Sequence, residues 1–382
     1  MAVDDESITF SYGTFTARIN IYKQPATCPR SSPPMANDGE PLLPQELLDS
    51  IVDKLRPIDD SASHQALQSC ALVCNSFRLR AHRALFFRVN LVPETLAELQ
   101  DADSIWKQRK RTQELYRLLK ANPYLISCIR SLKINIDRRA KVTGPLGYLA
   151  EVLDILYEST SESQGLVELI VRSGTPSSVP ALWPNISAPT QKSLLNLIHG
   201  PKTQLKRLIL GNFKKLPLTM FVRCQILKSL ILEWVEIDDS PEDNTSNRTV
   251  QDDLWSLGEL VWTGSWSLNK FFQGLATIVS IKTLASKLRR LCVSGPVPVQ
   301  DGMMLRKILE WSADSLRSLI LYVIEHRVFH LLLTLLGVEM CDLPLSMNHP
   351  NSQEPWISHH VEYFSCSSSA AISATLHWRG CH

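Results

Sequence analysis

The chain has 382 residues, of which 44% are hydrophobic and 20% charged, and its formal net charge at pH 7 is +2. This length and apolar fraction are sufficient for one large domain or two ordinary domains with a buried core. The nearly neutral charge balance does not indicate nucleic-acid binding. The longest apolar run, residues 328–338, is shorter than the roughly 20 residues of a membrane-spanning helix.

The cysteines are scattered along the chain without the spacing of a disulfide framework. Cys70, Cys224 and Cys292 lie inside apolar runs, where a free thiol acts as a small hydrophobic group. This use of cysteine is typical of a reducing compartment, and the acidic residues Asp4 and Asp5 are not typical of a secretory signal. We therefore expect a soluble protein of the cytoplasm, the nucleus or both, with no membrane contact.

Residues 1–41 are predicted to be an N-terminal arm and linker. A loose alternation over residues 8–22 favours a weak β-hairpin, and residues 24–41 are rich in proline, serine and small polar residues. We expect disorder over most of this arm.

Residues 42–86 are predicted to form three short helices. Apolar residues recur every three or four positions from Leu43 to Leu55, which is the period of one helix face. Pro44 suits the first turn of that helix, and Ser61 or Ser63 can cap the next one. Helices this short cannot bury much apolar surface among themselves. Periodicity alone leaves two interpretations open: a module with a binding partner, or an N-terminal cap of the following domain.

The module contains, in order, Leu43-Pro44-x-Glu46-Leu47-Leu48, then Ile51, Leu55 and Leu67, and finally Leu72-Val73-Cys74-x-x-Phe77. This order of residues resembles the F-box motif. In that family, the motif docks onto a small adaptor subunit of the Skp–cullin–F-box ubiquitin ligases. Ala71 stands where serine is frequent in the family, and Phe77 stands where tryptophan is typical. The resemblance implies the following adaptor-binding residues: Leu43, Pro44, Leu47, Leu48, Ile51, Leu55, Leu67, Leu72, Val73, Cys74 and Phe77.

A second pattern, apolar-x-x-apolar-x-apolar, recurs from residue 129 onward. Segments with helical periodicity, such as 146–157 and 271–284, lie between most of its copies. Strands that alternate with helices in this way resemble leucine-rich repeats. The copies begin at Ile129, Leu166, Leu205, Leu227, Leu257, Leu288 and Leu316.

Successive strands joined by helices are expected to be parallel, because parallel strands need crossovers of this length. Each strand–helix unit leaves an apolar face that only its neighbours can cover, so stacking predicts a solenoid over residues 87–342. The alternative is a doubly wound α/β sheet. It is disfavoured because the strands are so alike and because no glycine-rich phosphate loop follows any of them. The spacing of the copies is irregular for leucine-rich repeats, and residues 343–382 have no periodicity, which predicts an irregular or disordered tail.

The predicted fold is therefore α/β: an N-terminal three-helix F-box-like module, then an irregular leucine-rich-repeat-like solenoid of parallel strands and helices. The variable positions of the strands are expected to line one face of the solenoid, and that face is basic on balance. The candidate substrate-binding residues are Arg130, Lys133, Lys206, Arg207, Lys228, Arg289, Arg290 and Arg317.

No catalytic constellation is found in the sequence. The G-x-S-x-G, G-x-x-x-x-G-K-[ST] and G-x-G-x-x-G motifs are absent. His326 and His330 have a spacing that can hold zinc, but no third ligand lies at motif spacing. The histidines and cysteines of residues 359–382 match no zinc module. We expect no enzymatic activity, no cofactor and no metal.

The favoured function is a substrate-recognition subunit of a Skp–cullin–F-box type ubiquitin ligase. Its N-terminal helices would dock to a Skp-family adaptor, and its repeats would hold a protein substrate whose identity the sequence does not reveal. The alternative is a non-catalytic repeat scaffold for protein–protein interaction without ligase association. A third and weaker hypothesis is an enzyme with a metal site in the tail. No nucleic-acid partner is expected.

Overall fold

The chain has an α/β fold with a mostly parallel sheet, as the sequence predicts. It divides into two compact units, one formed by residues 1–133 and 147–166 and the other by residues 134–146 and 167–382. The computed structural model describes residues 7–12, 15–20, 45–55, 61–73, 75–92, 103–136, 148–158, 165–174, 179–200, 203–222, 224, 226–238, 257–264, 268–276, 280–295, 299–323, 359–364 and 373–378.

The first unit is mainly helical. Strands β1 and β2 pair antiparallel within the arm for which the sequence predicts disorder, at the place where its alternation favours a hairpin. Strand β3 pairs in parallel with the start of β4, with Val89 opposite Leu132. The elements are β1 (Ser7–Tyr12), β2 (Phe15–Asn20), α1 (Gln45–Lys54), α2 (Ser61–Val73), α3 (Asn75–Leu85), β3 (Arg88–Asn90), α4 (Asp103–Ala121), a 3₁₀ helix (Pro123–Cys128), β4 (Ser131–Asn135), whose last two residues belong to the second unit, and α5 (Leu149–Glu158).

The second unit alternates strands with helices. Its elements are β5 (Glu168–Arg172), β6 (Ala181–Leu182), a 3₁₀ helix (Trp183–Asn185), α6 (Ala188–His199), β7 (Arg207–Pro217), α7 (Thr219–Val222), β8 (Ser229–Asp238), β9 (Glu259–Thr263), α8 (Leu268–Ala276), α9 (Ile281–Ala285), β10 (Arg290–Gly295), α10 (Val299–Ser312), β11 (Ser318–Val323), β12 (His359–Phe364) and β13 (Ser373–Trp378).

Strands β5 and β7 to β11 lie side by side in chain order, and all of them are parallel. Strand β6 pairs with the second half of β7. Each connection between β7 and β11 therefore returns the chain to the position beside the strand it has just left. In a doubly wound sheet, the strand order reverses at a switch point. Among the described strands of this unit the order does not reverse, which disfavours the doubly wound alternative.

The recurring leucines build the core of the second unit. Alternate strand residues point to the same face of a sheet, and the second and fourth residues of the strands, such as Leu208 and Leu210 of β7, are buried. Aromatic residues complete this layer. The ring of Phe271 on α8 lies 5.4 Å from that of Phe221 and 5.3 Å from that of Trp262, centroid to centroid.

Strands β12 and β13 lie in the segment that the sequence predicts as irregular. Strand β12 pairs antiparallel with β11, and β13 pairs antiparallel with β12. This pairing gives hydrogen-bond partners to the edge of β11, which would otherwise present free backbone groups. The helices of the described residues include none with the length and hydropathy needed to cross a bilayer.

Asp301 of α10 fastens the N-terminus of α8. Its carboxylate accepts hydrogen bonds from the backbone N–H groups of Leu268, at 3.0 Å, and Asn269, at 2.8 Å. These are the first two residues of α8, whose N–H groups have no partner inside their own helix. Asp301 is only 3% exposed. Burial raises the pKa of its carboxyl group, and the two N–H donors oppose that rise.

Replacing Asp301 with alanine should lower the free energy of unfolding by about 1–2 kcal/mol, because two N–H groups at a helix N-terminus lose their acceptor. Asp301→Asn keeps one acceptor oxygen and should cost less. Urea unfolding followed by circular dichroism measures both changes. Asp314→Ala, at an exposed position, is the control and should change stability by less than about 0.5 kcal/mol. Equal costs for Asp301→Ala and Asp314→Ala would contradict the capping role.

Candidate partner-binding surfaces

The three N-terminal helices pack around a small core. Leu55 and Phe77 are partly buried against it. The core consists of Val52 on α1, Leu67 and Ala71 on α2, and Ala81 on α3.

An ion-pair cluster ties α3 to α1. The Arg80 guanidinium lies 2.5 Å from a carboxylate oxygen of Asp53 and 3.6 Å from one of Asp49. The hydrogen bond with Asp53 raises the pKa of Arg80, burial opposes this rise, and the charges of both carboxylates add to it. The side chains of this cluster are partly exposed to solvent. The cluster therefore contributes at most about 1 kcal/mol to stability.

Large apolar side chains remain on the surface of this helical module. Leu47 and Ile51 lie one turn apart on α1 and are 52% and 48% exposed. Leu72, near the end of α2, is 83% exposed, and Leu79 on α3 is 55% exposed. We call these four residues the apolar surface. Leu79 does not lie on the helix face that the spacing of the other apolar residues of α3 defines, so the sequence pattern did not select it. A leucine that lies off such a face is the signal that could have identified it.

The predicted adaptor-binding residues separate into three groups. Leu47, Ile51 and Leu72 are exposed, whereas Leu55 and Phe77 are partly buried. Leu67 is 0% exposed, so in this structure its side chain belongs to the core and does not reach a partner. Helical spacing identifies an apolar face, but it does not say which part of that face the other helices cover. The remaining predicted residues lie outside the described residues or have side chains that are not described: Leu43, Pro44, Leu48, Val73 and Cys74.

Two leucines of α2 test this division. Leu67→Ala should lower the free energy of opening of the three helices by about 2–5 kcal/mol, because it leaves a cavity in a small core. Leu72→Ala should change it by less than about 0.5 kcal/mol. Hydrogen exchange of the α2 amides, read by mass spectrometry, measures both. Similar exchange rates in the two variants would contradict the assignment of Leu67 to the core and Leu72 to the surface.

The second candidate surface lies on the second unit, where polar side chains form rows across the parallel strands. Arg207 lies 3.5 Å from Glu168, and Arg290 lies 3.1 Å from Glu259. The Ser229 hydroxyl donates a 2.6 Å hydrogen bond to Glu259. This row is therefore neutralised internally. Its members are the first residues of β5 and β7 to β11: Glu168, Arg207, Ser229, Glu259, Arg290 and Ser318.

A glycine allows an ion pair to form across an intervening strand. The Arg172 guanidinium of β5 donates a 2.8 Å hydrogen bond to the Glu233 carboxylate of β8. Gly211 of β7 lies between them in register. A Cβ atom on Gly211 would lie 2.9 Å from Cγ of Arg172 and 3.2 Å from a carboxylate oxygen of Glu233. The absence of a side chain on Gly211 therefore gives the Arg172 side chain its path.

Another row consists of the residues that immediately precede the strands. Unlike the row of first strand residues, it contains cations without carboxylates. Its residues are joined by backbone hydrogen bonds: Lys206 donates to the Val167 carbonyl, Lys228 to that of Lys206, and Arg317 to that of Arg289, each at 2.8 Å. No ion pair joins its four exposed cations to another described residue. We call these the cation row: Lys206, Lys228, Arg289 and Arg317.

The structure places the predicted substrate-binding residues in different settings. Arg207 and Arg290 are paired with carboxylates, and the four residues of the cation row are exposed. These residues occupy adjacent rows of the second unit. Arg130 and Lys133 belong to the first unit, where Lys133 lies opposite Asn90 in the β3–β4 pair.

The described residues contain no group of three or more histidine, cysteine, aspartate or glutamate side chains that could hold a metal ion. His326 and His330 lie outside them. Complete burial raises the pKa of the Cys224 thiol to about 12. This thiol is therefore protonated and a poor nucleophile at neutral pH.

Comparison with known proteins does not assign the chain to a family. No protein-family model matches it, and no curated protein is similar to it in sequence. A function therefore has to be inferred from the two surfaces: the apolar surface of the helical module and the cation row of the second unit.

Proposed function

We propose that the chain is a non-enzymatic substrate-recognition subunit of a Skp–cullin–F-box type ubiquitin ligase. Helices α1 to α3 would act as the F-box-like module and dock to a Skp-family adaptor. The second unit would act as a leucine-rich-repeat-like solenoid that holds a protein substrate. Such a subunit would work in the cytoplasm, the nucleus or both.

The observation that carries this proposal is the exposure of Leu47, Ile51 and Leu72 on one small helical module. Large exposed apolar side chains that lie together, as Leu47 and Ile51 do one turn apart on α1, are typical of a binding site, because their burial against a partner is favourable. Each of these side chains would contribute on the order of 1 kcal/mol when a partner covers its exposed part. All three belong to the residues through which the resemblance implies adaptor docking.

The second unit supports the solenoid part of the proposal. Strands β5 and β7 to β11 follow one another in chain order, and each has the same pattern of buried leucines, such as Leu205 before β7 and Leu208 within it. Units of this kind cover one another's apolar faces by stacking. A long series of strands also offers a row of variable side chains to a partner, which is what a substrate receptor needs.

The mechanism is positioning. A subunit that binds the adaptor through one unit and a substrate through the other converts ubiquitin transfer into a reaction within one complex. The effective concentration of the substrate near the ubiquitin-charged enzyme rises without any new chemistry in this chain. No nucleophile, cofactor or metal is required of it.

The test is a pull-down with a purified Skp-family adaptor. The unmutated chain should retain the adaptor, and Leu47→Asp with Ile51→Asp should reduce retention by about a hundredfold, because two carboxylates would be buried without partners. The control variant carries Val179→Asp and Met303→Asp, which change exposed apolar residues of the second unit. It should retain the adaptor fully. Circular dichroism checks that both variants fold.

Failure of the unmutated chain to bind the adaptor would refute the ligase proposal. The alternative function is then the non-catalytic repeat scaffold, in which α1 to α3 are an N-terminal cap of the following domain. Equal loss of binding in both variants would show a general effect of added charge and would equally count against docking through α1.

A further inference from the structure

We propose that the cation row binds an acidic, extended segment of the partner protein. The inference deepens the proposed function, on which it rests for the existence of a protein partner, by naming the chemistry of that partner. It concerns Lys206, Lys228, Arg289 and Arg317, at the starts of β7, β8, β10 and β11.

The cation row brings like charges close together. Lys206 and Lys228 directly precede two neighbouring strands and are joined by a backbone hydrogen bond, as are Arg289 and Arg317. Neighbouring strands are about 4.8 Å apart. Like charges directly opposite each other destabilise a sheet. In the adjacent row, carboxylates relieve this repulsion, since Glu168 and Glu259 pair with arginines. No described carboxylate does so for the cation row, so an acidic partner supplies the missing charge.

The dimensions of the row suit an extended peptide. From Lys206 to Arg317 the row crosses four strand spacings, a distance of roughly 19 Å. Alternate side chains of an extended peptide lie on one side and are about 6.6 Å apart, so four of them span roughly 20 Å. A peptide laid across the strands, with acidic residues at every second position, therefore meets the cations along its whole length.

The middle of the row is open. Gly258, the residue immediately before β9, occupies the position between Lys228 and Arg289. The nearest atom to a Cβ built on Gly258 would be the Lys228 carbonyl oxygen, at 3.8 Å. Because no side chain stands here, a peptide backbone can cross from one cation pair to the other.

The residues around the row favour a peptide over a nucleic acid. Single-stranded nucleic acids need aromatic side chains on which bases stack. The row before the cations holds buried leucines, such as Leu205 and Leu227, and the row after them holds the ion-paired residues Arg207 and Arg290. In the described part of these rows there is no aromatic residue. A nucleic acid would gain phosphate contacts alone, and the formal net charge of +2 adds little to them.

The test uses the full chain and a fluorescein-labelled heptapeptide with glutamate at positions one, three, five and seven. Fluorescence anisotropy should show binding that weakens as salt is added, because the contacts are charge-assisted. Lys206→Gln with Lys228→Gln should raise Kd by about tenfold or more. The matched control is Lys282→Gln with Lys307→Gln, two exposed lysines on α9 and α10. It makes the same change in charge and should leave Kd unchanged.

Three results would overturn the inference: no binding of the acidic peptide, equal weakening in the two variants, or tighter binding of an oligothymidylate of equal charge. The third result would identify a nucleic-acid surface. Adaptor retention is read separately on the same proteins. Adaptor binding without peptide binding overturns this inference and leaves the proposed function intact. Peptide binding without adaptor binding refutes the proposed function and leaves the acidic-peptide site intact.

Discussion

The parallel strands β5 and β7 to β11 share one register over their first five residues, and the organisation of the second unit depends on it. Leu208, Leu230 and Leu260 lie opposite one another along the sheet, so the buried leucines of successive strands form continuous layers beneath the helices. A shift by one residue in any strand would turn its leucines to the polar face and its charges into the core. The apolar burial of all the strands therefore opposes such a shift in each one.

The same register creates the surfaces. Residues at equal positions in successive strands become neighbours although they are separated by a whole strand–helix unit in sequence. One row becomes a set of ion pairs, with Glu259 between Ser229 and Arg290, and another retains exposed cations only. Single residues also determine which charges pair. Because Gly211 has no side chain, the Arg172 side chain can reach Glu233 across the intervening strand. A candidate binding site thus follows from the core packing, because the packing determines which charges meet.

The helical module presents the opposite case, in which a limited core leaves apolar groups outside. Val52 and Leu67 are buried by the other helices, and helices of this length have little further surface with which to cover Leu47, Ile51 and Leu72. Asp49, Asp53 and Arg80 join α1 and α3 at the surface and leave those side chains uncovered. An exposed apolar surface is the consequence of small size, and it makes an external partner favourable.

The sequence by itself determined the α/β class, the helices near residues 45–85 and the strands that begin with the recurring leucine pattern, because hydrophobic period is a local property. It did not reveal the strands β12 and β13, whose pairing depends on an edge formed far away in the chain. It assigned Leu67 to a partner and overlooked Leu79, because period locates an apolar face without saying what covers it. Only the tertiary structure decided which cations are neutralised, since Arg207 and Arg290 meet carboxylates from other strands, whereas Lys206 and Arg317 do not. The physical reason is that charge pairing depends on distance in space, which a sequence pattern does not contain.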